Sequence, residues 1–339
     1  MNESLAHLSN NFVYSAMLVL SLAMVAFAVD FAFGSGAERA RAAARRGSAV
    51  RTSVPVAAGA ARNLAESGGP ESADPAAAVE EPPVVGRWGR VGVSLTTLTF
   101  ALLVAGVVSR GLSAGRLPWG NMYEFSVMAA TAVLGVWLFL LTRGRQLQYL
   151  GLFITFPVLV TLGVAVTLLY TEAAQLVPAL KSYWLGIHVT AAIIASGVFT
   201  VGAAITVLYL VVDHVDRRVA AGREPGRLAP LAQRLPDAAS LDRNAYRTFA
   251  FAFPLWTFAV IAGAIWAENA WGRYWGWDPK ETWAFITWVA YAAYLHARAT
   301  VGWEGRKAAA IALVAFGCFV FNYVGVNILI TGLHSYAGV

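Results

Sequence analysis

An all-α integral membrane protein with about eight transmembrane helices is the fold class this sequence predicts, and three observations predict it. Hydrophobic residues fill 58% of the 339 positions and charged residues only 13%, a balance too apolar for a soluble globular domain. The apolar residues gather into long runs, each close to the ~20 residues an α-helix needs to cross ~30 Å of hydrocarbon at 1.5 Å per residue. The basic residues lie mostly between the runs and are unevenly shared. Connections on one side of the alternating topology carry 20 of the 25 Lys and Arg residues.

The first run, near 11–33, follows a start that contains Glu3 and no Lys or Arg, with the basic cluster after it. That polarity suits a retained anchor, residues 1–33, with its N-terminus outside, rather than a cleaved signal peptide. Residues 34–89 are rich in Ala, Arg, Gly, Pro, Ser and Glu without apolar periodicity, the composition of a disordered basic cytoplasmic linker. Seven further spans, near 91–109, 122–142, 149–170, 185–212, 248–267, 279–298 and 308–331, form a core over 90–339. The connection 213–247 is basic and contains Pro, and it is long enough for a short amphipathic helix on an anionic leaflet surface.

Even spans run opposite to odd ones, so 34–90, 143–148, 213–247 and 298–307 share one side. The other side holds only Arg110, Arg116, Lys181, Arg273 and Lys280. The positive-inside rule puts the first set in the cytoplasm and both termini outside. The net charge of +6 comes mostly from the two long basic loops, so nucleic-acid binding is not implied.

The connection between spans six and seven, residues 267–283, is the most informative stretch. Four tryptophans, Trp271, Trp275, Trp277 and Trp283, fall within thirteen residues, with Tyr274 among them. Interfacial aromatics account for one or two such residues, since indole and phenol rings favour the boundary between lipid and water. A run of them is better matched to a large, flat, apolar ligand such as a porphyrin. Within the same stretch Asp278 at an N-cap, Pro279 at the first helical position and Glu281 three residues after the cap form a capping box. Asn121 and Glu124 repeat that spacing before span three. These carboxylates are therefore read as holding geometry. Lys181, Arg273 and Lys280 are cations on the side of the Trp-rich loop, each either solvated or paired with carboxylates of a ligand.

Five histidines are sorted by the topology. His188 starts span five and His334 follows span eight, both on the side of the Trp-rich loop. Either one alone is equally an interfacial side chain reaching water. Together, beside the aromatic loop, they form a candidate bis-histidine haem site, imidazole being a common ligand of haem iron. His296 lies ~18 residues into span seven, about 27 Å from Asp278. It is either a second, intramembrane ligand or a side chain snorkelling beside Arg298 to the inner interface. His7 and His214 read as solvated. The single cysteine, Cys318, sits inside the last span, which excludes a disulfide, a CxxC pair and covalent haem attachment to this chain.

The segment Trp271-Gly-x-x-Trp275-x-Trp277-Asp-Pro-Lys-Glu-x-Trp283, with its flanking histidines, resembles the "WWD" domain of haem-handling proteins. With its size, its eight spans and a Ser182-Tyr-Trp-x-x-x-His188 element, the chain from about 90 onwards looks like the CcsA/ResC family of system II cytochrome c biogenesis. The resemblance implies a non-covalently held haem b cargo. It implies external ligands at His188 and His334, an intramembrane ligand at His296, and an aromatic platform at the WWD loop. It also implies presentation of haem to the CxxCH motif of apocytochrome c, in a holocytochrome c synthase shared with a CcsB/ResB/Ccs1-type partner. This chain would supply haem delivery rather than acid–base catalysis, in a bacterial plasma membrane. The alternative is a cytochrome b-like electron-transfer subunit, which requires two pairs of histidines within the spans. A secondary transporter, which expects inverted repeats or broken midplane helices, is a further reading from another class.

Overall fold

The computed structural model describes residues 2–34, 86–143, 147–172 and 180–334, and among these it is entirely helical. The linker reading for 34–89 falls almost wholly outside the described residues, and Arg87 already begins a helix. Eight long helices follow one another: α1 Glu3–Val29, α2 Arg87–Ala114, α3 Met122–Thr142, α4 Gly151–Thr167, α5 Tyr183–Ala220, α6 Ala238–Trp271, α7 Pro279–Ala299 and α8 Gly305–Val320.

Seven of these are long and apolar enough to cross a membrane. The exception is α7, expected as a span, whose 21 residues are diluted by Trp, Tyr, His and Arg side chains. Its polar content has a local reason, since its first turn serves the cleft described below.

The lowest-exposure helix is α5, which runs through the middle of the bundle. Its Phe199 stacks face to face on Tyr291 of α7 with ring centroids 4.0 Å apart. Phe249 and Trp256 of α6 close round the same pair. Such close-packed aromatic faces bury much apolar area per residue and fix α5, α6 and α7 against one another. The helices α1 and α2 pack together on the flank, where Ser9 Oγ donates to the Gly106 carbonyl at 2.7 Å.

Helices α5 and α6 are longer than their hydrophobic runs predict, extending to Ala220 and back to Ala238. The connection expected over 213–247 shrinks accordingly, with one helical turn at Ala229–Ala232. The extensions are polar but held by charge pairs. Arg217 meets Asp213 one turn away at 2.9 Å, and Arg298 of α7 meets Asp242 of α6 at 2.6 Å. Helix ends beyond the hydrocarbon can be charged, because there water solvates them and i,i+4 pairs support them.

The up-and-down order brings the α2–α3, α4–α5 and α6–α7 connections to one end of the bundle, together with the end of α8. The start of α1 is there too, since the Asn2 N–H donates to the Ser113 carbonyl at the end of α2.

Candidate functional site

That end of the bundle holds a cleft of about 1190 Å³, counting the space open at its mouth, lined by residues of α3, α5, α6, α7, α8 and the loops between them. The lining is mostly apolar and aromatic with a few polar atoms, the usual make-up of a small-molecule site. Both His188 and His334 contribute to it.

The ring of His188 projects from the second turn of α5 against α6. Its Nδ1 lies 2.7 Å from the Ala259 carbonyl. A carbonyl only accepts, so Nδ1 must carry the proton and Nε2 keeps the lone pair. The notch that admits the ring is made by Gly263, where a Cβ would stand 2.7 Å from His188 Cε1.

His334 is held differently. Its Nδ1 lies 2.7 Å from Asp278 Oδ1, and Asp278 Oδ2 accepts from the Leu333 N–H at 2.7 Å. Burial alone would raise the Asp278 carboxyl, but the hydrogen bonds from His334 and Leu333 outweigh it and hold the group below the ordinary aspartate value. With Nδ1 donating to a carboxylate, Nε2 is left as the acceptor nitrogen, and the carboxylate increases its basicity.

Trp266 of α6, only 2% exposed, contacts both imidazoles. Its indole is parallel to His188 within 8° at 6.0 Å and meets His334 edge-on at 5.7 Å. Trp271 then packs on both Trp266 and His334, at 4.8 and 5.0 Å. One aromatic block thus fixes the orientation of both histidines.

The loop after α6 is folded round one carboxylate. Glu281 accepts from the N–H groups of Gly276 and Asp278 and from Arg273 Nη1 at 3.1 Å, completing with Asp278 the expected capping box at the start of α7. The Arg273 guanidinium crosses directly over Gly276, where a Cβ would displace it. Trp277 takes a positive φ of 58°, a conformation costly for a bulky residue.

Of the aromatic residues expected as a platform, Trp271, Tyr274 and Trp275 line the cleft. Trp277 is 66% exposed and packs against Trp275 and Phe285, while Trp283 turns to Phe321 of the α8 end at 4.3 Å. The three expected cations also separate. Lys280 faces the cleft and donates from Nζ to the Asn322 carbonyl at 2.8 Å. Arg273 is occupied by Glu281 and lies over Trp271. Lys181 is exposed and outside the lining. His296 is exposed near the far end of α7, outside the cleft.

The second capping spacing forms only in part. Asn121 Oδ1 does accept from the Glu124 N–H, yet the Glu124 side chain binds Gly120 N–H, Arg116 at 2.8 Å and Arg110 at 3.1 Å. The two arginines compete for the carboxylate more strongly than one backbone N–H could.

Sequence reasoning did not single out Trp266, Trp119, Gly263 or Asn322, nor the tether from Asp278 to His334. Trp266 and Trp119 lie outside the Trp271–Trp283 segment, and only folding brings Asn322 and His334 to the α7 start. The spacing of Trp266 from Trp271, just over one helical turn, was the one available signal.

Among the described residues the site therefore defines a class: a polytopic membrane protein whose helices gather two oriented imidazoles and an indole-rich wall into one cleft. The profile of the family described as "Cytochrome C assembly protein" matches residues 119–334. The chain is 34% identical over 284 residues to the cytochrome c biogenesis protein CcsA of Pyropia yezoensis, covering 75% of this chain and 89% of that one. It is 36% identical over 295 residues to CcsA of Microcystis aeruginosa strain NIES-843, covering 75% and 88%. In three dimensions it superposes on cytochrome c haem lyase CcmF with a TM-score of 0.60 at 15% identity, covering 97% of this chain and 47% of that longer one, a likeness of fold. The chain belongs to the CcsA family of cytochrome c assembly proteins, and its role is in cytochrome c maturation.

Proposed function

We propose that the cleft is a haem-delivery site, where His188 and His334 ligate the iron of a non-covalently held haem b and the WWD loop shields one face of the porphyrin. The observation that carries this reading is the joint orientation of the two rings by Trp266, each with Nδ1 committed to an oxygen acceptor and so with Nε2 as its acceptor nitrogen. The donor set suits the cargo: two imidazoles for iron, indoles for the apolar ring, and the Lys280 amine in the lining. The distribution of basic residues supports an external position for this end, in a bacterial plasma membrane with both termini outside.

The site's contribution would be placement. Two axial imidazoles hold the haem while a vinyl edge faces an arriving apocytochrome c CxxCH motif. Thioether formation adds a cysteine S–H across a vinyl double bond, sulfur to one carbon and hydrogen to the other, with no net oxidation. The CxxCH histidine then replaces one axial ligand and releases the product. No side chain of the cleft need act as an acid or base, and effective concentration is the main contribution.

His296 would be one ligand of an earlier, intramembrane haem site. Its exposure on α7 supports a second ligand from a CcsB/ResB/Ccs1-type membrane partner. With only this histidine available there, the described chain offers no pair for a cytochrome b-like electron-transfer role.

The test is the visible spectrum of the detergent-purified chain, alone and with its partner, with His188, His334 and His296 each changed to Ala. A low-spin haem signal that collapses in the His188 and His334 variants and returns with added imidazole is the expected result. A signal indifferent to both would remove the proposal.

A further inference from the structure

Two buried polar atoms in the cleft are left over by the packing, and a third polar group there, Lys280, makes one hydrogen bond. Trp119 Nε1, on the α2–α3 connection, is buried with no acceptor among the described residues, and the side-chain oxygen of Asn322, a residue only 5% exposed, is buried with no donor among them. Lys280 is the third, and it reaches the same wall through the Asn322 carbonyl. Asn322 lies in the π-helical turn Phe321–Gly325 that follows α8. Such turns redirect backbone groups and recur at functional sites.

Buried polar atoms without partners are costly, so the Trp119 N–H and the Asn322 amide, lining one cleft with Lys280, call for a polar ligand group. Two of them, the ammonium and the indole N–H, can only donate. The Asn322 amide rotated by half a turn presents its NH₂ in the same place. The nearby carboxylates do not compete, for Glu281 is neutralised by Arg273 and two N–H groups, and Asp278 is taken by His334 and Leu333.

We propose that Lys280, Trp119 and Asn322 form a carboxylate-anchoring corner that grips a propionate of the cargo porphyrin and sets its rotation about the iron. This rests on the haem reading of the cleft. The corner assigns the anchoring to a cation inside the lining together with two neutral groups, and relieves Arg273 and Lys181 of it. Charge-assisted bonds to a carboxylate are about twice as strong as neutral ones, so the corner discriminates a free acid from an ester.

Equilibrium titration of the full-length chain in detergent with haem and with haem dimethyl ester tests this. The unchanged protein is expected to bind haem about tenfold more tightly than the ester, roughly the effect of one charge-assisted bond. Lys280→Met should remove most of that preference and Trp119→Phe or Asn322→Leu part of it, with the low-spin axial spectrum unaltered; Lys181→Met should keep it all. Equal affinity of the unchanged protein for both porphyrins, or full preference retained in the Lys280 and Trp119 variants, would overturn the anchoring corner and leave the histidine site standing. Failure of the unchanged protein to bind either porphyrin would sink the haem reading and the corner with it.

Discussion

Asp278 and His334 are joined by a 2.7 Å hydrogen bond between Oδ1 and Nδ1 although 56 residues separate them. The same carboxylate caps α7, accepting from the Lys280 N–H, so one side chain sets both the start of a helix and the direction of an imidazole. Asn caps helices about as well as Asp but lacks the charge that raises imidazole basicity. Asp278→Asn is therefore expected to keep the helix cap, to lose only the stability the charged carboxylate adds at neutral pH, and to weaken haem binding by about 10–100-fold, the usual effect of losing such a support. Asp278→Ala should cost a further ~1 kcal/mol of stability through the lost cap. Since the folded carboxyl lies below the ordinary aspartate range, its contribution to stability is complete above the unfolded value, near ~3.9, and is lost as pH falls through the lower folded value. Haem titration and thermal unfolding of the three proteins, followed down to acidic pH, check these statements together.

Gly263 separates fold from function. In the middle of α6 an alanine is favoured over glycine by about 1 kcal/mol, yet its Cβ would stand 2.7 Å from His188 Cε1 and 2.8 Å from Nδ1. Gly263→Ala should give a well-folded protein whose His188 is pushed off the Ala259 carbonyl and whose bound haem is lost or high-spin. A normal low-spin spectrum in this variant would show that the notch is dispensable.

How much of this was legible in the sequence depends on the range of each interaction. The spans follow from runs of apolar residues, and the capping box at Asp278 and Glu281 from a four-residue spacing, both local signals. Helices α5 and α6 run beyond their apolar spans because Asp213 with Arg217, and Asp242 with Arg298, pair and let the helices continue. Glu124 was read as a cap because Asn121 precedes it, whereas its partners Arg110 and Arg116 come from the preceding helix and connection. The motif identified the WWD loop but could not rank its tryptophans. Which of them face the cleft is set by the Glu281 hub and the left-handed turn at Trp277.

The Arg110–Glu124–Arg116 cluster is expected to be a stability determinant outside the cleft chemistry. Arg110 is 3% exposed, the Glu124 side chain fully buried and Arg116 10% exposed. Arg110 also donates to the Thr171 carbonyl, tying the α2 end to the α4–α5 connection. Removing the carboxylate takes the ion-pair partner from the buried Arg110, which for buried pairs costs about 3–5 kcal/mol. Glu124→Ala should lower expression and thermal stability sharply. An exposed control such as Lys181→Ala should stay within about 0.5 kcal/mol of the parent.

Trp266 should behave as a positioning residue. It contacts both imidazoles and Trp271, and aromatic pairs of this kind contribute about 0.5–1.5 kcal/mol each beyond area burial. Trp266→Phe keeps a ring but shortens its reach, so a loss of about tenfold in haem affinity with a changed reduction potential is expected. The potential is the deciding readout, because a purely structural role would lower stability without altering the iron's ligand field.

The side of the membrane that the cleft faces can be read with a single thiol. Tyr274 is 61% exposed on the WWD loop, and the only native cysteine, Cys318, lies inside α8. Tyr274→Cys in intact cells should react with a membrane-impermeant maleimide. Arg223→Cys, beyond the end of α5 among the basic residues, should react only after lysis. The expectation follows from the charge asymmetry, since each misplaced basic loop opposes the orientation that 20 of 25 Lys and Arg residues favour. Labelling in the reverse order would put the cleft in the cytoplasm. Haem would then be taken up there rather than presented, and the two imidazoles would belong to an entry site instead of an exit site.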